Sequence, residues 1–528
     1  MFGIQSLRPG PFLTSVAMIA IGTGGAAAQQ FSCPRTGGEF VFGQEAKVNS
    51  LDPQASATVS TRNIAMNIYE TLMTRDENFN VMPDLAAAVE ESSDRKTYTF
   101  KLRQGVKFHN GKPMSSADVM ASFERYKRVG VERSMLDVVD KWEAPDASTF
   151  VMHLKAPQPT FLENLSSFLV PIVIIPAENA GAPPMQLTPI GTGPFQFVEE
   201  VADSHVKLKR FEGYSPDTRH RDLNGFGGYK VACVDRVTFR IVTEPGTRVA
   251  GLETGELHGV EDVPSKSQER LKKNKNIVIT PYKNFWIQLA EVNTAVPPND
   301  NVVFRQAVQA ALDMEEIMEA ATDGAYRLNI GLQYPGQAAY TEAGKETYNQ
   351  KNPTKAKKLL AEAGYKGEEV ILLTNRDYTS MYNAAVIVAE QLKAVGINTK
   401  LLVLDWPAAF NMFEKTNTGW HYFFDAFGNN PVIGPISSVR KFAAPINAYK
   451  PKTPDDVDKP FNAAFNDMIN GATPEIRKDA FARAQARLLE QVYVVPFGSL
   501  TKLQAVRANV QNFRPYRIPR MANVYFSD

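Results

Sequence analysis

The sequence predicts an α/β protein with two or three lobes. The chain has 528 residues, more than one hydrophobic core usually holds. Residues 370–373 form a short apolar run, residues 380–395 have the length of a helix, and residues 400–404 form a second apolar run. A strand, a long helix and a strand form a right-handed crossover between parallel strands. Both runs are apolar throughout, which is typical of parallel strands covered on both faces.

Local patterns predict the elements before this crossover. The helix at 116–126 begins after Ser115 and carries Asp118 in its first turn. Residues 176–194 are rich in proline and glycine and form a connection. We predict strands at 38–44, 98–102, 150–154 and 234–242, one helix over 304–321, and a helix that starts at Asn352-Pro353 and ends at Gly364.

Composition excludes several classes of function. Lys+Arg (58) and Asp+Glu (57) nearly cancel, so the chain lacks the basic field on which nucleic-acid binding depends. The six histidines are scattered without a metal-binding spacing, and two cysteines cannot build a thiolate metal site. We therefore expect no nucleic acid, no metal and no cofactor.

The N-terminus predicts export. Arg8 precedes a small apolar run, residues 11–25, and Ala26-Ala27-Ala28 supplies a cleavage site before Gln29. This pattern is typical of a secretory signal peptide, here residues 1–28. The run is too short for a membrane anchor, and no later apolar segment reaches spanning length. We expect a periplasmic protein that does not insert directly into the membrane.

Cys33 and Cys233 are the only cysteines of the chain. In an oxidising compartment such a pair often forms a disulfide, which we predict here. Two free, buried thiols are the alternative.

Polar and aromatic residues follow three predicted strands. The first strand ends before Arg376 and Tyr378, the second before Trp406, and the third, 422–424, before Asp425 to Asn430. In open α/β sheets, ligands bind beyond the carboxyl ends of the strands. If the third strand is also parallel, these ends open on one edge of one sheet. The stretch FFDAFGNNP, residues 423–431, is then the wall of a crevice rather than a surface turn.

These ends, with Trp286, supply the candidate ligand-binding residues. Four of them have a structural alternative: a surface salt bridge for Arg376, packing for Trp406, a core position for Trp286, and an orientation away from the crevice for Asp425. Trp420 is assigned to the core. The candidates are Trp286, Arg376, Tyr378, Trp406, Asp425, Phe427, Asn429 and Asn430.

Seven motifs resemble those of the bacterial extracellular solute-binding proteins of family 5, the dipeptide, oligopeptide and nickel-type receptors of ABC importers. They occur in the family's order along nearly the whole mature chain. The motifs are Leu51-Asp52-Pro53, NIYETL (67–72), KLRQGVKFHNGKPMSSADVMASFER (101–125), PIGTGPF (189–195), LETGE (252–256), Arg305-Gln306-Ala307 and LLAEAGY (359–365).

The resemblance implies a two-lobe, Venus-flytrap fold of the periplasmic-binding-protein type II kind, with a subdomain inserted in lobe one. It places lobe one at residues 29–61, 190–283 and 497–528, the inserted subdomain at 62–189, and lobe two at 284–496. It also implies a monomeric receptor, not an enzyme, that captures a small solute between its lobes and delivers it to an inner-membrane ABC permease complex.

The resemblance also bears on the ligand. Peptide receptors of the family pair a carboxylate with the peptide's amino terminus, and that position falls on Asn429, an amide without charge. Arg376 resembles the arginine that holds the peptide carboxylate. We therefore expect an opine-like, sugar-conjugate or modified-peptide ligand rather than a free dipeptide.

The sequence leaves two other classes of function open. One is a secreted two-lobe hydrolase, although the sequence shows no G-x-S-x-G motif and no histidine-based catalytic site. The other is a periplasmic sensor or chaperone on the same fold. Turnover of a ligand distinguishes the hydrolase, and an effect of deletion on uptake distinguishes the sensor.

Overall fold

The computed structural model of the protein describes residues 29–429, 434–453 and 455–528. The predicted signal peptide, residues 1–28, and Asn430 lie outside the described residues. Up to the first long strand, the elements in chain order are β1 (Glu39–Gln44), α1 (Val59–Ile68), β2 (Met73–Arg75), β3 (Val81–Pro83), β4 (Ala86–Glu91), β5 (Thr97–Leu102), α2 (Ser116–Val129), β6 (Val139–Asp146), β7 (Thr149–Leu154), α3 (Phe161–Leu165), β8 (Phe195–Val201), β9 (His205–Arg210), β10 (Leu223–Asn224), β11 (Gly227–Gly228), β12 (Arg236–Ile241), α4 (Pro245–Thr254), β13 (Gly259–Val260) and α5 (Ser265–Leu271).

The second half of the chain begins with the longest strand among the described residues. Its elements are β14 (Ile277–Val292), α6 (Val302–Ala311), α7 (Met314–Thr322), β15 (Tyr326–Leu328), α8 (Pro353–Glu362), β16 (Val370–Asn375), α9 (Thr379–Ala394), β17 (Thr399–Leu404), α10 (Trp406–Lys415), β18 (Tyr422–Phe427), α11 (Ile436–Arg440), α12 (Lys459–Asn470), α13 (Pro474–Glu490), β19 (Val494–Arg507), β20 (Val510–Gln511) and β21 (Tyr525–Phe526).

One mixed sheet connects the two lobes, in the strand order β17-β16-β18-β14-β19-β13-β1-β12-β9-β8. The antiparallel pair β14 and β19 runs through its centre, from Ile277 opposite Arg507 to Glu291 opposite Val494. The chain therefore passes between the lobes on two adjacent strands. The register of this pair shifts between Tyr282 and Trp286, and the predicted boundary at residues 283 and 284 falls on this irregularity.

Three large apolar cores surround the sheet. The core of lobe one includes Phe40, Phe42 and Phe239. A separate core between Leu72 and Ile174 belongs to the inserted subdomain, which has its own sheet of β4, β5, β7 and β6. The core of lobe two extends from Phe285 to Leu500. Helix α1, Val59–Ile68, spans the predicted boundary at residue 62.

The predicted crossover of lobe two is confirmed. Strand β16 pairs in parallel with β17, with Val370 opposite Thr399, and also in parallel with β18, with Leu372 opposite Tyr422. The carboxyl ends of all three strands therefore lie on one edge of the sheet. This edge positions the candidate site.

The single helix predicted over 304–321 is two helices, α6 and α7. Leu312 has extended backbone angles, and Asp313 then caps α7 by accepting hydrogen bonds from the backbone N–H groups of Glu315 and Glu316. The apolar periodicity continues across the break, which is why the pattern alone joined them. The predicted disulfide between Cys33 and Cys233 is present.

Several sequence motifs make buried polar contacts between distant segments. The Glu70 carboxylate of NIYETL pairs with Lys230 at 2.6 Å and accepts a hydrogen bond from Thr192 of PIGTGPF at 2.9 Å. Gly191 and Gly193 lie against the same turn, since a Cβ atom on Gly191 would lie 2.2 Å from the backbone oxygen of Ile68. These motifs therefore join lobe one to its inserted subdomain.

Candidate functional site

A small buried cavity, which we call the aromatic cavity, lies where the two lobes meet. Its volume is about 80 Å³. Lobe two contributes strand ends and the start of α9, whereas α1, the segment 168–170 and the C-terminal tail close the opposite side. The lining includes seven aromatic and five charged residues, Phe168, Phe285, Trp286, Tyr378, Trp406, Phe410, Phe427, Arg62, Glu132, Asp425, Lys441 and Arg517.

Three of the predicted aromatic residues form one contiguous wall. The Tyr378 ring packs edge-to-face against Trp286 at 5.3 Å and against Trp406 at 5.1 Å between ring centroids. Asn375, at the end of β16, accepts a hydrogen bond from the Tyr378 backbone N–H at 2.9 Å and so fixes the turn into α9. The buried indole N–H of Trp406 has no partner among the described residues. It is therefore available to donate to a bound solute.

Gly428, which directly follows FFDAF, leaves room for the guanidinium of Arg517. A Cβ atom on Gly428 would lie 2.3 Å from Nη1 of Arg517. That guanidinium donates to the backbone oxygens of Phe285 at 2.6 Å and Asn429 at 2.5 Å, and to the Tyr334 hydroxyl at 2.8 Å. Arg517 of the C-terminal tail thus holds the end of β18 against β14.

Asn429 is buried but does not line the aromatic cavity. Its side-chain amide donates to the Leu332 backbone oxygen, and its side-chain oxygen accepts from the Ser438 hydroxyl. Its hydrogen-bonding capacity is used within lobe two. Asn430, the other amide of this pair, lies outside the described residues.

Arg376 also lies away from the aromatic cavity. It is exposed, its guanidinium stacks over the Tyr382 ring at 4.9 Å, and Nη2 lies 3.3 Å from the Tyr382 hydroxyl. The residue directly follows β16, where the chain turns outward before α9, so its side chain points to solvent. The structure therefore brings together Trp286, Tyr378, Trp406, Asp425 and Phe427 but neither Arg376 nor Asn429.

Four charged residues of the cavity were missed by the sequence analysis: Arg62, Glu132, Lys441 and Arg517. None of them follows a predicted strand of lobe two, and the rule that ligands bind beyond the carboxyl ends of strands therefore does not select them. Three lie in or beside short helices and one in the tail, and no local motif marks them. The one signal that the sequence offered was a charged residue inside a segment that is otherwise apolar or small, which can indicate a buried functional group.

Arg62 of α1 brings a positive charge to the cavity from the side opposite lobe two. Its Nη1 donates to the backbone oxygens of Ala57 at 2.5 Å and Leu169 at 2.7 Å, whereas the buried Nε has no partner among the described residues. Burial lowers the pKa of Arg62 to about 10, so the group stays charged at neutral pH. Arg62 can therefore bind an anionic or hydrogen-bond-accepting group of a solute.

Glu132 links the inserted subdomain to lobe two across the cavity. Its carboxylate lies 3.2 Å from Nε of Arg440, and both side chains are buried. Burial raises the pKa of Glu132, and the positive charges of Arg440 and Lys441 oppose that shift. This contact is one that opening of the lobes must break.

Asp425 has a second carboxyl behind it. Asp425 of β18 lies opposite Leu289 of β14, so Glu291, two residues further on, shares its face of the sheet. On the cavity side, Lys441 lies 3.8 Å from Asp425 and 3.8 Å from the centroid of the Phe427 ring. Glu291 is fully buried, and neither carboxyl oxygen has a hydrogen-bond partner among the described residues.

Replacing Glu291 with glutamine should stabilise the protein at neutral to alkaline pH. Burial raises the pKa of Glu291 well above its usual value of 4.5, nearby Asp425 raises it further, and Lys441 and Lys450 oppose the shift. The folded protein therefore keeps a proton that the unfolded chain releases, and the carboxyl lowers stability increasingly as the pH rises above 4.5. Thermal unfolding should show a higher midpoint for Glu291→Gln at about pH 8 and little difference at about pH 4.

The exposed carboxyl of Glu269 provides the matched control. Glu269→Gln should leave the unfolding midpoint unchanged at both values of pH. A Glu291→Gln protein that is less stable than the wild type at the higher pH would show instead that this carboxyl is ionised and paired.

Comparison with known proteins identifies the class. A family model for bacterial extracellular solute-binding proteins, family 5 Middle, matches residues 80–435. The probable peptide ABC transporter periplasmic-binding protein y4tO of Sinorhizobium fredii is 31% identical over 392 residues, which cover 71% of this chain and 72% of that protein. The glutathione-binding protein GsiB of Escherichia coli K12 is 26% identical over 396 residues, covering 74% and 73%.

Solved structures share the fold. AgaA from A. tumefaciens R10, in complex with agropinic acid, superposes with a TM-score of 0.80 at 24% identity, covering 93% of this chain and 99% of that one. The oligopeptide-binding protein AppA from Bacillus subtilis, in complex with a nonapeptide, gives 0.81 at 21% identity, covering 94% and 100%. These are two-lobe periplasmic binding proteins.

The fold and the cavity between lobes define a binding protein of the Venus-flytrap kind. The chain belongs to the bacterial extracellular solute-binding proteins, family 5. It is a solute-binding receptor of an ABC importer, and the comparisons favour this function over the hydrolase and the sensor or chaperone.

The family consists of substrate-binding proteins, which deliver a solute to a membrane permease, and the relatives named above are periplasmic. No helix in the described ranges has both the length and the apolar character needed to cross a membrane. The same ranges contain no group of three or more histidine, cysteine or acidic side chains arranged to hold a metal ion.

Proposed function

We propose that the protein is exported with removal of residues 1–28 and acts in the periplasm as a monomeric receptor without catalytic activity. It binds one small solute between its lobes, at a site that includes the aromatic cavity and is larger when the lobes part, and passes it unchanged to an inner-membrane ABC permease complex. Lobe one comprises residues 29–61, 190–283 and 497–528, the inserted subdomain residues 62–189, and lobe two residues 284–496.

The proposal rests on one observation, which is that residues from both sides of the lobe boundary form the wall of the cavity. Trp286, Tyr378 and Trp406 come from lobe two and its crossing strand, whereas Arg62 and Arg517 come from segments on the other side. A solute that contacts both sides binds the closed form better than the open form. Shifting the population from 1:99 to 99:1 requires a preference of about 5.5 kcal/mol for the closed state.

The lining indicates a solute with apolar faces and groups of both charge types. Asp425 suits a cationic or hydrogen-bond-donating group, and Arg62 with the Trp406 indole N–H suits an acceptor. Peptide-like, opine-like and sugar-conjugate solutes all have this character. The relatives support the same range, since their names include peptide and glutathione binding and the complexes of similar structures contain agropinic acid, mannopinic acid and peptides.

The set of solute-binding residues that we propose is Trp286, Tyr378, Trp406, Asp425 and Phe427, with Arg62, Lys441 and Arg517 added from the structure. Aromatic rings pack on the apolar faces of a solute, and the charged groups orient its polar ends. Arg376 and Asn429 are left out because their side chains bind within lobe two.

Filling the aromatic cavity should abolish solute binding. Val59 begins α1 and lines the cavity, so the indole of Val59→Trp would occupy the space of the solute. Native mass spectrometry of protein taken from the periplasm should show a retained solute in the wild type and none in the variant. The solute released by denaturation should have the same mass as a solute present in the periplasmic extract, because the receptor does not alter it.

The matched control is Val278→Trp, which places the same side chain on a surface position that is 50% exposed. It should retain the solute as the wild type does. Undiminished retention by Val59→Trp would place the solute elsewhere, and a released product of altered mass would show turnover and contradict the receptor function.

A further inference from the structure

A second cavity, which we call the polar chamber, lies beside the aromatic cavity. Its volume is about 360 Å³. Residues 244–267 of lobe one form one side, and residues 321–323 and 379–383 of lobe two form the other. Trp286 is the one residue common to both linings in the part of the chain that the structure describes. Trp286 therefore lies at the boundary between the two cavities.

The position of Trp286 is fixed from several directions. It follows the register shift in the β14–β19 pair and lies opposite Leu500. Its ring packs against Phe285 at 4.9 Å and against Tyr378 at 5.3 Å between ring centroids. The Nζ atom of Lys502 lies 4.2 Å from the ring centroid, within the range of a cation–π contact.

Lys502 is itself held by buried carboxylates. Its Nζ contacts Glu45, at the end of β1, and lies 3.1 Å from Glu261, which follows β13. Arg248 lies 3.6 Å from the Glu45 carboxylate on the far side. All four side chains are buried. This cluster is not part of the aromatic cavity, and it positions the cation that packs against the indole of Trp286.

The lining of the polar chamber differs in chemistry from the aromatic cavity. It contains acidic, basic and hydroxyl-bearing side chains together with the apolar residues Pro245, Val263, Pro264, Ala321 and Leu500, but no aromatic residue apart from Trp286. The serines at 265, 267 and 380 and the lysine at 266 are half-buried or exposed. The charged and hydroxyl-bearing groups of this lining suit the polar, hydrated end of a molecule, whereas the aromatic rings of the aromatic cavity suit its apolar faces.

We propose that Trp286 sets the maximum length of the solute by closing the aromatic cavity off from the polar chamber. This inference rests on the proposed function of the aromatic cavity as the solute site. Solutes that end at the indole are bound, whereas those that extend further by one or two residue-sized polar units are excluded. Removing the indole joins the two cavities and extends the site into the polar chamber.

The test compares the masses of bound solutes. Wild type, Trp286→Ala and Trp286→Phe are unfolded, freed of solute, refolded and exposed to periplasmic extract supplemented with a tryptic digest of casein. Native mass spectrometry then records what each protein binds. Trp286→Ala should gain solutes heavier by one or two residues, with their occupancy relative to wild type raised at least about tenfold. Trp286→Phe keeps an aromatic ring between the two cavities, so the mass of its bound solutes should increase less.

A second substitution shows that the polar chamber receives the added length. Ser267 lines the polar chamber and not the aromatic cavity, so Ser267→Trp alone should leave the mass of the bound solutes unchanged. In the Trp286→Ala background it should restore the wild-type mass range, because its indole occupies part of the polar chamber into which a longer solute would extend. Thermal unfolding of each variant establishes that the comparison is made between folded proteins.

An unchanged or lower mass range for Trp286→Ala, including a protein that binds nothing, overturns the proposal. So does a higher range that Ser267→Trp fails to reverse. These outcomes differ from failure of the proposed function, in which the wild type itself binds no solute or binds it equally well after Val59→Trp.

Discussion

Arg517→Met is expected to lower the free energy of unfolding by about 3–5 kcal/mol and to abolish solute binding. The guanidinium donates to the buried backbone oxygens of Phe285 and Asn429 and to the Tyr334 hydroxyl. Methionine fills much of the same space but removes the donor of the Asn429 oxygen. It also leaves the Phe285 oxygen with the Tyr334 hydroxyl alone, and the Tyr334 oxygen with the Asn429 backbone N–H alone. Urea unfolding measures the stability, and calorimetry with the retained solute measures the affinity.

The matched control is the same substitution at Arg376, whose guanidinium lies on the surface over Tyr382. Arg376→Met should change stability by less than about 0.5 kcal/mol and leave affinity within a factor of a few. A larger loss of affinity at Arg376 than at Arg517 would favour the sequence-based assignment of Arg376 to the solute site over the one proposed from the cavity.

Asp52→Ala is expected to cost about 3–5 kcal/mol of stability, because it leaves the charge of Arg125 buried without its partner. The Asp52 carboxylate binds the guanidinium in bidentate fashion at 2.6 and 3.1 Å, and both side chains are fully buried. Asp52 also accepts a hydrogen bond from the Met185 backbone N–H at 3.1 Å. Chemical denaturation measures the free energy of unfolding, and an exposed ion pair serves as the control.

The exposed pair is Arg35 and Asp528, which are in contact at 2.5 Å with most of both side chains in water. Asp528→Ala should cost less than about 1 kcal/mol. Replacing both buried partners, as in Asp52→Leu with Arg125→Met, should recover much of the loss because no unpaired charge remains. Equal costs at Asp52 and Asp528 would contradict a fully desolvated pair.

Much of the fold could be predicted because its signals are local. The apolar runs at 370–373 and 400–404 and the helix between them required a parallel crossover, and β18 proved parallel to β16 as the site prediction assumed. The helix at 304–321 failed for the opposite reason. Its capping residue, Asp313, interrupts the backbone without interrupting the apolar pattern.

The candidate site could be predicted only on the lobe-two side. Phe427 ends β18, Asp425 lies two residues before that end, and Trp406 begins α10 two residues after β17, so their positions in the sequence direct them to the sheet edge. Arg62 and Arg517 reach the same cavity from residues separated by most of the chain, and their approach depends on how the lobes pack. No local pattern contains that information.

The amide at position 429 shows a second limit of sequence reasoning. Its place in the motif suggested a group facing the ligand, but both ends of the side chain are bound by Leu332 and Ser438. The glycine beside it is the informative residue, since Gly428 admits Arg517. That requirement becomes visible only when the C-terminal tail is in place.

A crystal structure of the protein with its retained solute tests the central claim most directly. The solute is predicted to lie in the aromatic cavity, in van der Waals contact with Trp286, Tyr378 and Trp406, with polar groups within hydrogen-bond distance of Arg62 or Asp425. Solute density outside that cavity, for example against Arg376 on the surface of lobe two, would contradict the account.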